Sequence, residues 1–365
     1  MGVPLHHPGC TVAPCPVYCR TIFRCIVAPW KILDFHSWCT VAPLPSEGAN
    51  AYHWPNKTLA VQRVSEIIAT SRQLQLVESR VTIQAKQPAP CDLAFMASHL
   101  VQVTLPHSDP GDVPAWTRTN GSVVLVITRT KLDFKTGKLI GYPYGTIPRL
   151  LLYWLTSEAL RTKSPVLKLG SSLNDFMGSV GLSLDTGGGK RSNVVRLRDQ
   201  MNRLFSSNIG LQSASAFGSD DSAGMRVTSR AHFWWNPKDP SQQELLDSWL
   251  ELSHEFYQTI INSPVPVDTR ALKALNHSPL ALDLYAWSTH KAYSTLLKNK
   301  SIFVSYRDLQ QQLGAQYSEL KAFGRKFRAA LSLVKTVYPG LEVRIETGGI
   351  VICPSQPAIP RRLTG

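Results

Sequence analysis

Apolar positions in the last third of the chain recur at helical spacing and then switch to alternation. From Ser318 onward, Leu320, Phe323, Phe327, Ala330, Leu331 and Val334 fall on one face at steps of three and four. Lys321, Arg325, Arg328, Ser332 and Lys335 follow the same spacing on another face. The pattern predicts a helix that buries one side and carries four cations on the other. Ahead of it, Ser305-Tyr306-Arg307-Asp308-Leu309 opens a shorter helix. Ser305 suits its N-cap, Asp308 puts a carboxylate near the positive end of the helix dipole, and Gly314 suits its stop. Behind it, Leu341–Ile345 and Ile350–Cys353 read as strands of a hairpin that turns at Gly348-Gly349. Two helices followed by a hairpin make the plan of a winged helix, whose second helix enters the DNA major groove.

Upstream, the signals run in a similar order. Arg72 to Leu105 mixes helix and strand character, Asp109–Ala115 is a turn-rich link, and the β-branched run Ser122–Thr128 is a strand. Lys131–Tyr144 reads as a hairpin or loop. Thr146–Thr162 is a helix with Pro148 in its first turn and Leu150, Leu151, Trp154, Leu155 and Ala159 on its buried face. A short strand, Val166–Leu169, precedes a helix Ser172–Val180 that closes at Gly181. Ser192 or Asn193 caps a third helix to about Ser206, with Val194, Leu197, Met201 and Leu204 inward. Ile209–Ala216 and Met225–Trp234 alternate, with Gly218-Ser219-Asp220-Asp221 between them, and are expected to be this unit's wing. Ser253 caps a connecting helix through Ile261, and Pro264 and Pro266 punctuate a boundary. Arg270–Leu275 and Leu280–Leu297 are helices, and Ile302–Val304 is a strand.

The two series superpose as a repeat. Leu152-Tyr153-Trp154 corresponds to Leu284-Tyr285-Ala286-Trp287 with one residue inserted, and 18 residues separate each tryptophan from Ser172 or Ser305. Ser172, Asp175, Phe176, Val180 and Gly181 match Ser305, Asp308, Leu309, Leu313 and Gly314 in position. The third-helix sets step equally: Val194, Leu197, Met201, Leu204 against Leu320, Phe323, Phe327, Ala330. The fold expected is therefore α+β, two tandem winged-helix domains at 75–265 and 266–360 behind an irregular N-terminal extension, 1–74. Tandem units address neighbouring major grooves about 10 base pairs apart, which makes a site of about two helical turns.

Charge sharpens this picture. The net charge is +14, and residues 266–365 hold 14 Lys and Arg against 6 Asp and Glu, which is more than half of the excess. That asymmetry points to a polyanion partner. Five of the seven cysteines lie in the first 39 residues, where Cys10-Thr11-Val12-Ala13-Pro14 recurs as Cys25-Ile26-Val27-Ala28-Pro29 and Cys39-Thr40-Val41-Ala42-Pro43. The rest of the chain has the cysteine usage of a reducing compartment. The spacing lacks the close CxxC pairs of zinc modules. Repeated DNA upstream of a gene, translated from a misplaced start, would give such a peptide; N-terminal mass determination of the native protein tests that origin. Signal-peptide and membrane-span patterns are not found, so a soluble cytoplasmic protein is expected.

Chemistry was sought in three places. A nickase needs a His-hydrophobic-His pair, and the ten histidines offer only His6-His7 and scattered singles. A phosphate loop around Gly187-Gly188-Gly189-Lys190 fails because Leu184 and Arg191 stand where Gly and Ser or Thr are required. Asp220-Asp221 fits a turn better than a metal pair. The expectation is no enzymatic activity, no cofactor and no metal.

Several runs resemble RepA-type plasmid replication initiators: Gly141-Tyr142-Pro143-Tyr144-Gly145-Thr146-Ile147-Pro148-Arg149-Leu150-Leu151-Leu152, Glu158-Ala159-Leu160-Arg161-Thr162, Thr186-Gly187-Gly188-Gly189-Lys190-Arg191, Leu197-Arg198-Asp199-Gln200-Met201 and Ser278-Pro279-Leu280-Ala281-Leu282-Asp283. The resemblance covers roughly Gln87 to Pro354. It implies a tandem winged-helix initiator that binds direct repeats (iterons) in double-stranded origin DNA, helps open it, and brings in host DnaA and the DnaB-type helicase. It also implies a homodimer that represses its own promoter and dissociates for initiation. The competing class is a winged-helix autorepressor that never starts replication.

From the residues themselves, Lys321 and Arg325 are best placed for base edges, because they lie in the first two turns of the last long helix. Arg328, Lys335 and Lys326 are expected on phosphates, and Arg344 reaches from the wing. In the first unit Arg196, Gln200 and Arg203 share a face, with Lys190 and Arg191 ahead of it. Asp199 dilutes that charge, so this unit is expected to add less specificity and to serve dimer contacts more.

Overall fold

Strand pairing shows how the two copies are built. The computed structural model describes residues 71–121, 123–183, 192–214, 220–233, 248–313, 317 and 319–359, all within one compact unit, Ser65–Gly365. The cysteine repeat, the glycine run with Lys190 and Arg191, Gly314 and Ser318 lie outside the described residues. The fold is α+β.

The first copy begins with β1 (Leu93–Ala97) and a short α2 (Ser98–Gln102), after a leading helix α1 (Ser71–Ala85). A hairpin, β2 (Ala115–Asn120) and β3 (Val123–Arg129), comes before α3 (Thr146–Thr162), β4 (Val166–Lys168), α4 (Leu173–Val180) and α5 (Asn193–Ser206). A second hairpin follows, β5 (Ser207–Ala214) and β6 (Asp220–Arg226), then β7 (Thr228–His232) and β8 (Trp249–Leu252). Helix α6 (His254–Asn262) connects to the second copy. That copy runs β9 (Pro264–Asp268), α7 (Thr269–Leu275), α8 (Pro279–Lys298), β10 (Ile302–Ser305), α9 (Tyr306–Leu313), α10 (Leu320–Val337), β11 (Val343–Glu346) and β12 (Gly349–Ile352).

Stripped of the two extra hairpins, the copies match strand for strand. Their three-stranded antiparallel sheets have orders β4-β8-β7 and β10-β12-β11. Their middle helices start alike. Ser172 Oγ accepts from Asp175 N–H and donates to its carboxylate at 2.8 Å. Ser305 Oγ makes the same pair of bonds with Asp308, the second at 2.7 Å. Each box satisfies an orphan N–H of the first turn and sets an anion at the positive end of the helix. The strands β1 and β9 pair with each other, antiparallel, with Phe95 opposite Pro266 at the centre, Leu93 opposite Asp268 and Ala97 opposite Pro264. Exchanging the copies leaves that pairing unchanged, so a local twofold passes through it. The expected linker at Pro264 and Pro266 is thus a strand.

One expectation is corrected. The expected wing of Ile209–Ala216 against Met225–Trp234 is divided between two sheets. The first segment lies in β5, which with β6 joins the other inserted hairpin in a sheet of order β2-β3-β5-β6, while Thr228–His232 of the second is β7 of the three-stranded sheet. The hairpin equivalent to β11–β12 is β7–β8. The reason is a row of apolar pairs: Leu125 faces Leu211 and Ile127 faces Ile209, with Leu125, Ile127 and Ile209 fully buried. Ala115, the last residue of the expected turn-rich link, instead begins a strand, Ala115–Asn120, that extends the same sheet at β3.

A buried ion pair joins the copies. Arg149 of α3 and Asp283 of α8 are 2% and 7% exposed. The guanidinium grips the carboxylate with two bonds, Nε to Oδ1 and Nη2 to Oδ2, both 2.7 Å. Its other N–H groups donate to the carbonyls of Leu105 (2.6 Å), Pro106 (3.0 Å) and Gly145 (2.6 Å). His107 Nε2 adds a 2.8 Å bond to Asp283 Oδ2. Gly145, at φ 81°, makes the turn that brings its carbonyl to Arg149.

Candidate nucleic-acid interface

Helix α10 has one buried side and one basic side. Phe323, Phe327, Ala330, Leu331, Val334 and Val337 are buried, and the Phe323 and Phe327 rings meet at a tilt of 43° with centroids 5.7 Å apart. The helix packs on α8, α9, α7 and the leading helix α1. Arg270 of α7 anchors α1 by donating to the carbonyls of Thr82 (3.4 Å) and Lys86 (2.9 Å) at its C-terminal end.

On the opposite side Lys321, Arg325, Arg328, Ser332 and Lys335 are all exposed. None of these cations makes an ion pair with a described acid. Helical geometry puts them within one arc of about 80°. Lys326 is exposed too but stands about 100° round the axis from Arg325. Arg328 lies over the Tyr306 ring at 5.9 Å, and Tyr306 meets Phe327 edge-on at 5.9 Å. Core packing therefore reaches outward through Tyr306 to hold a surface guanidinium. Arg344 is exposed on β11, beside the turn at Gly348. Arg307, exposed in the first turn of α9 next to Tyr306, was passed over in the sequence; a cation behind a Ser cap was the available signal.

The equivalent helix α5 is different. Arg196 is exposed. Gln200, expected on the outer face, is 5% exposed, and its Oε1 accepts the Tyr144 N–H at 2.9 Å. It sits at the margin of the apolar arc, so its amide closes a backbone gap instead of meeting solvent. Arg203 is held by Asp199 at 2.8 Å and Asp109 at 3.1 Å, donates to the Tyr142 carbonyl at 3.2 Å, and lies over the Tyr144 ring at 5.2 Å. Its charge is spent within the protein. Arg198 is exposed but emerges on the far side of the helix from Arg196. Of the face foreseen on this helix, Arg196 alone remains open among the described residues.

The family model of plasmid-encoded RepA protein matches residues 142–306. That stretch, a little under half of the chain, is similar to the plasmid-encoded RepA family. No curated protein and no solved structure matches it. The matched stretch begins just ahead of α3 and ends at the first residue of α9. It holds the helices α3, α4 and α5, both partners of the Arg149–Asp283 pair and the strand β9, and it stops short of α10. The match supports a plasmid replication protein. Among the described residues no helix is long and apolar enough to cross a membrane.

Proposed function

We propose that this protein is a RepA-type replication initiator that binds repeated sites in duplex origin DNA through two winged-helix units. Helix α10 is the principal reader. Lys321 and Arg325 meet base edges, Arg328, Lys335 and Lys326 meet phosphates, and Arg344 and Arg307 flank them. The observation that carries this reading is a row of exposed cations, free of described acids, on a helix whose other side is fixed in the core. An exposed arginine with no carboxylate nearby is available to a guanine or a phosphate. In the first unit Arg196, with Lys190 and Arg191 ahead of the helix, meets the neighbouring groove with less specificity than α10, and this unit also serves dimer contacts. Bound protein promotes opening of adjacent DNA and recruits host DnaA and the DnaB-type helicase. A homodimer represses the promoter and dissociates to the initiating monomer, in the cytoplasm and with no cofactor.

The test has two parts. Gel-shift titrations use the plasmid's own origin region and a scrambled duplex; specific binding is expected, with direct repeats of about 20 base pairs protected. Transformation with the gene and its flanking DNA on a marker fragment lacking another replicon is expected to yield plasmids. Repression without recovery of plasmids would favour the autorepressor instead.

A further inference from the structure

The contact between the copies has a chemistry that packing alone does not require. A guanidinium has five N–H donors, and all five of Arg149 are occupied: two by Asp283 and three by the carbonyls of Leu105, Pro106 and Gly145. The first copy thus presents the arginine already oriented, and Asp283 of the second copy meets it in one plane. Both residues lie in runs that carry the RepA resemblance, yet neither touches the basic face. An apolar pair of similar volume often stabilises a protein as well as a buried ion pair does. What it lacks is direction, since a two-bond carboxylate–guanidinium contact tolerates little rotation.

Direction matters because of what each partner carries. Helix α5 packs on α3, which bears Arg149, and α10 packs on α8, which bears Asp283. The rigid path from one third helix to the other therefore runs α5, α3, Arg149, Asp283, α8, α10. We infer that Arg149 and Asp283 are a positioning pair for DNA recognition: their contact fixes the angle and separation of the two DNA-facing helices and so sets the spacing between half-contacts that the protein accepts within one site. This rests on the proposal that both units meet the same duplex.

The experiment uses the full-length chain and a duplex carrying one protected repeat, with derivatives that gain or lose one to five base pairs between the two halves. Each added base pair turns the second half by about 35°. Wild-type protein is expected to lose tenfold or more in affinity at two added base pairs. The Arg149→Met/Asp283→Leu variant, apolar and similar in volume, is expected to bind the parental spacing within about threefold of wild type and to lose less than threefold at two added base pairs. Asp283→Asn, which keeps size and shape, is expected to fall between. A folded variant that discriminates as steeply as wild type overturns the inference, as does a wild type indifferent to spacing. If both variants fail to fold, the pair is a folding requirement and the inference is also overturned. Failure of wild type to bind any origin duplex specifically would instead remove the DNA-binding proposal.

Discussion

Arg203 and Arg325 occupy comparable helices and look interchangeable in the sequence, but they have opposite fates. Arg325 makes no ion pair with a described acid, whereas Arg203 is closed between Asp199 and Asp109. Asp199 stands four residues before Arg203 and is legible as a helical pair. Asp109 lies 94 residues away and is not legible. Arg325→Ala should cost about 1–3 kcal/mol on the specific site if its contact with guanine is bidentate. Lys335→Ala should weaken all duplexes alike and lower the salt slope by about one. Salt-dependent gel shifts on specific and scrambled duplexes separate the two. Gln200→Ala should instead act on folding. It leaves the Tyr144 N–H without its acceptor, at about 1–3 kcal/mol, so urea unfolding should move while DNA affinity of the folded protein stays put. Helical periodicity placed Gln200 outside because it borders the buried arc, and only the neighbouring loop decides which side of that border it joins.

At the scale of elements, the parts that depend on near neighbours were the legible ones. The Ser172/Asp175 and Ser305/Asp308 caps, the helix α10 and the turn at Gly348 all follow from residues a few positions apart. The first copy's wing was not legible, because four strands, β5 to β8, follow α5 and only long-range pairing decides which two of them close the three-stranded sheet. The prolines of β9 misled for a different reason. Ser98 N–H bonds to the Ser263 carbonyl, which sets the ladder's phase. Pro264 and Pro266 then occupy the positions whose N–H groups point away from β1, where proline is tolerated. Gly349 is the most exacting position in the second sheet. A Cβ there would strike the Val304 carbonyl oxygen and come within 2.8 Å of the Phe303 ring. Gly349→Ala should destabilise the protein by about 1–3 kcal/mol through overpacking, seen as a lower midpoint in thermal unfolding.

Over the whole molecule, the repeat was readable as a doubled pattern of caps and apolar steps, but its twofold was not, since β1–α2 and β9–α7 share little sequence. The buried cluster on that junction carries a pH dependence. Burial, reinforced by the charge of Arg149, pushes His107 from 6.5 down to about 4, against the pull of its Asp283 hydrogen bond. Burial would raise the Asp283 carboxyl, but Arg149 and the bond from His107 outweigh it and hold it down from 3.8 to about 2. As pH falls below about 6.5 the unfolded chain therefore protonates its histidine first, and stability declines until about pH 4. Below 3.8 the Asp283 contribution is lost in turn, toward pH 2. The histidine part is on the order of 3 kcal/mol. His107→Gln keeps a donor for Asp283 and should flatten the upper part of the profile of urea midpoint against pH; an unchanged profile would count against that assignment.

The pairing of β1 with β9 bears on how the chain is made. Leu93–Ala97 leaves the ribosome about 170 residues before Pro264–Asp268 can reach it, and an apolar edge left waiting is a hazard for self-association. The N-terminal copy cannot finish until synthesis has entered the C-terminal one. A polypeptide cut after Ser263 should collect in inclusion bodies although it spans the complete first copy, and co-expressing residues 264–365 should return it to the supernatant.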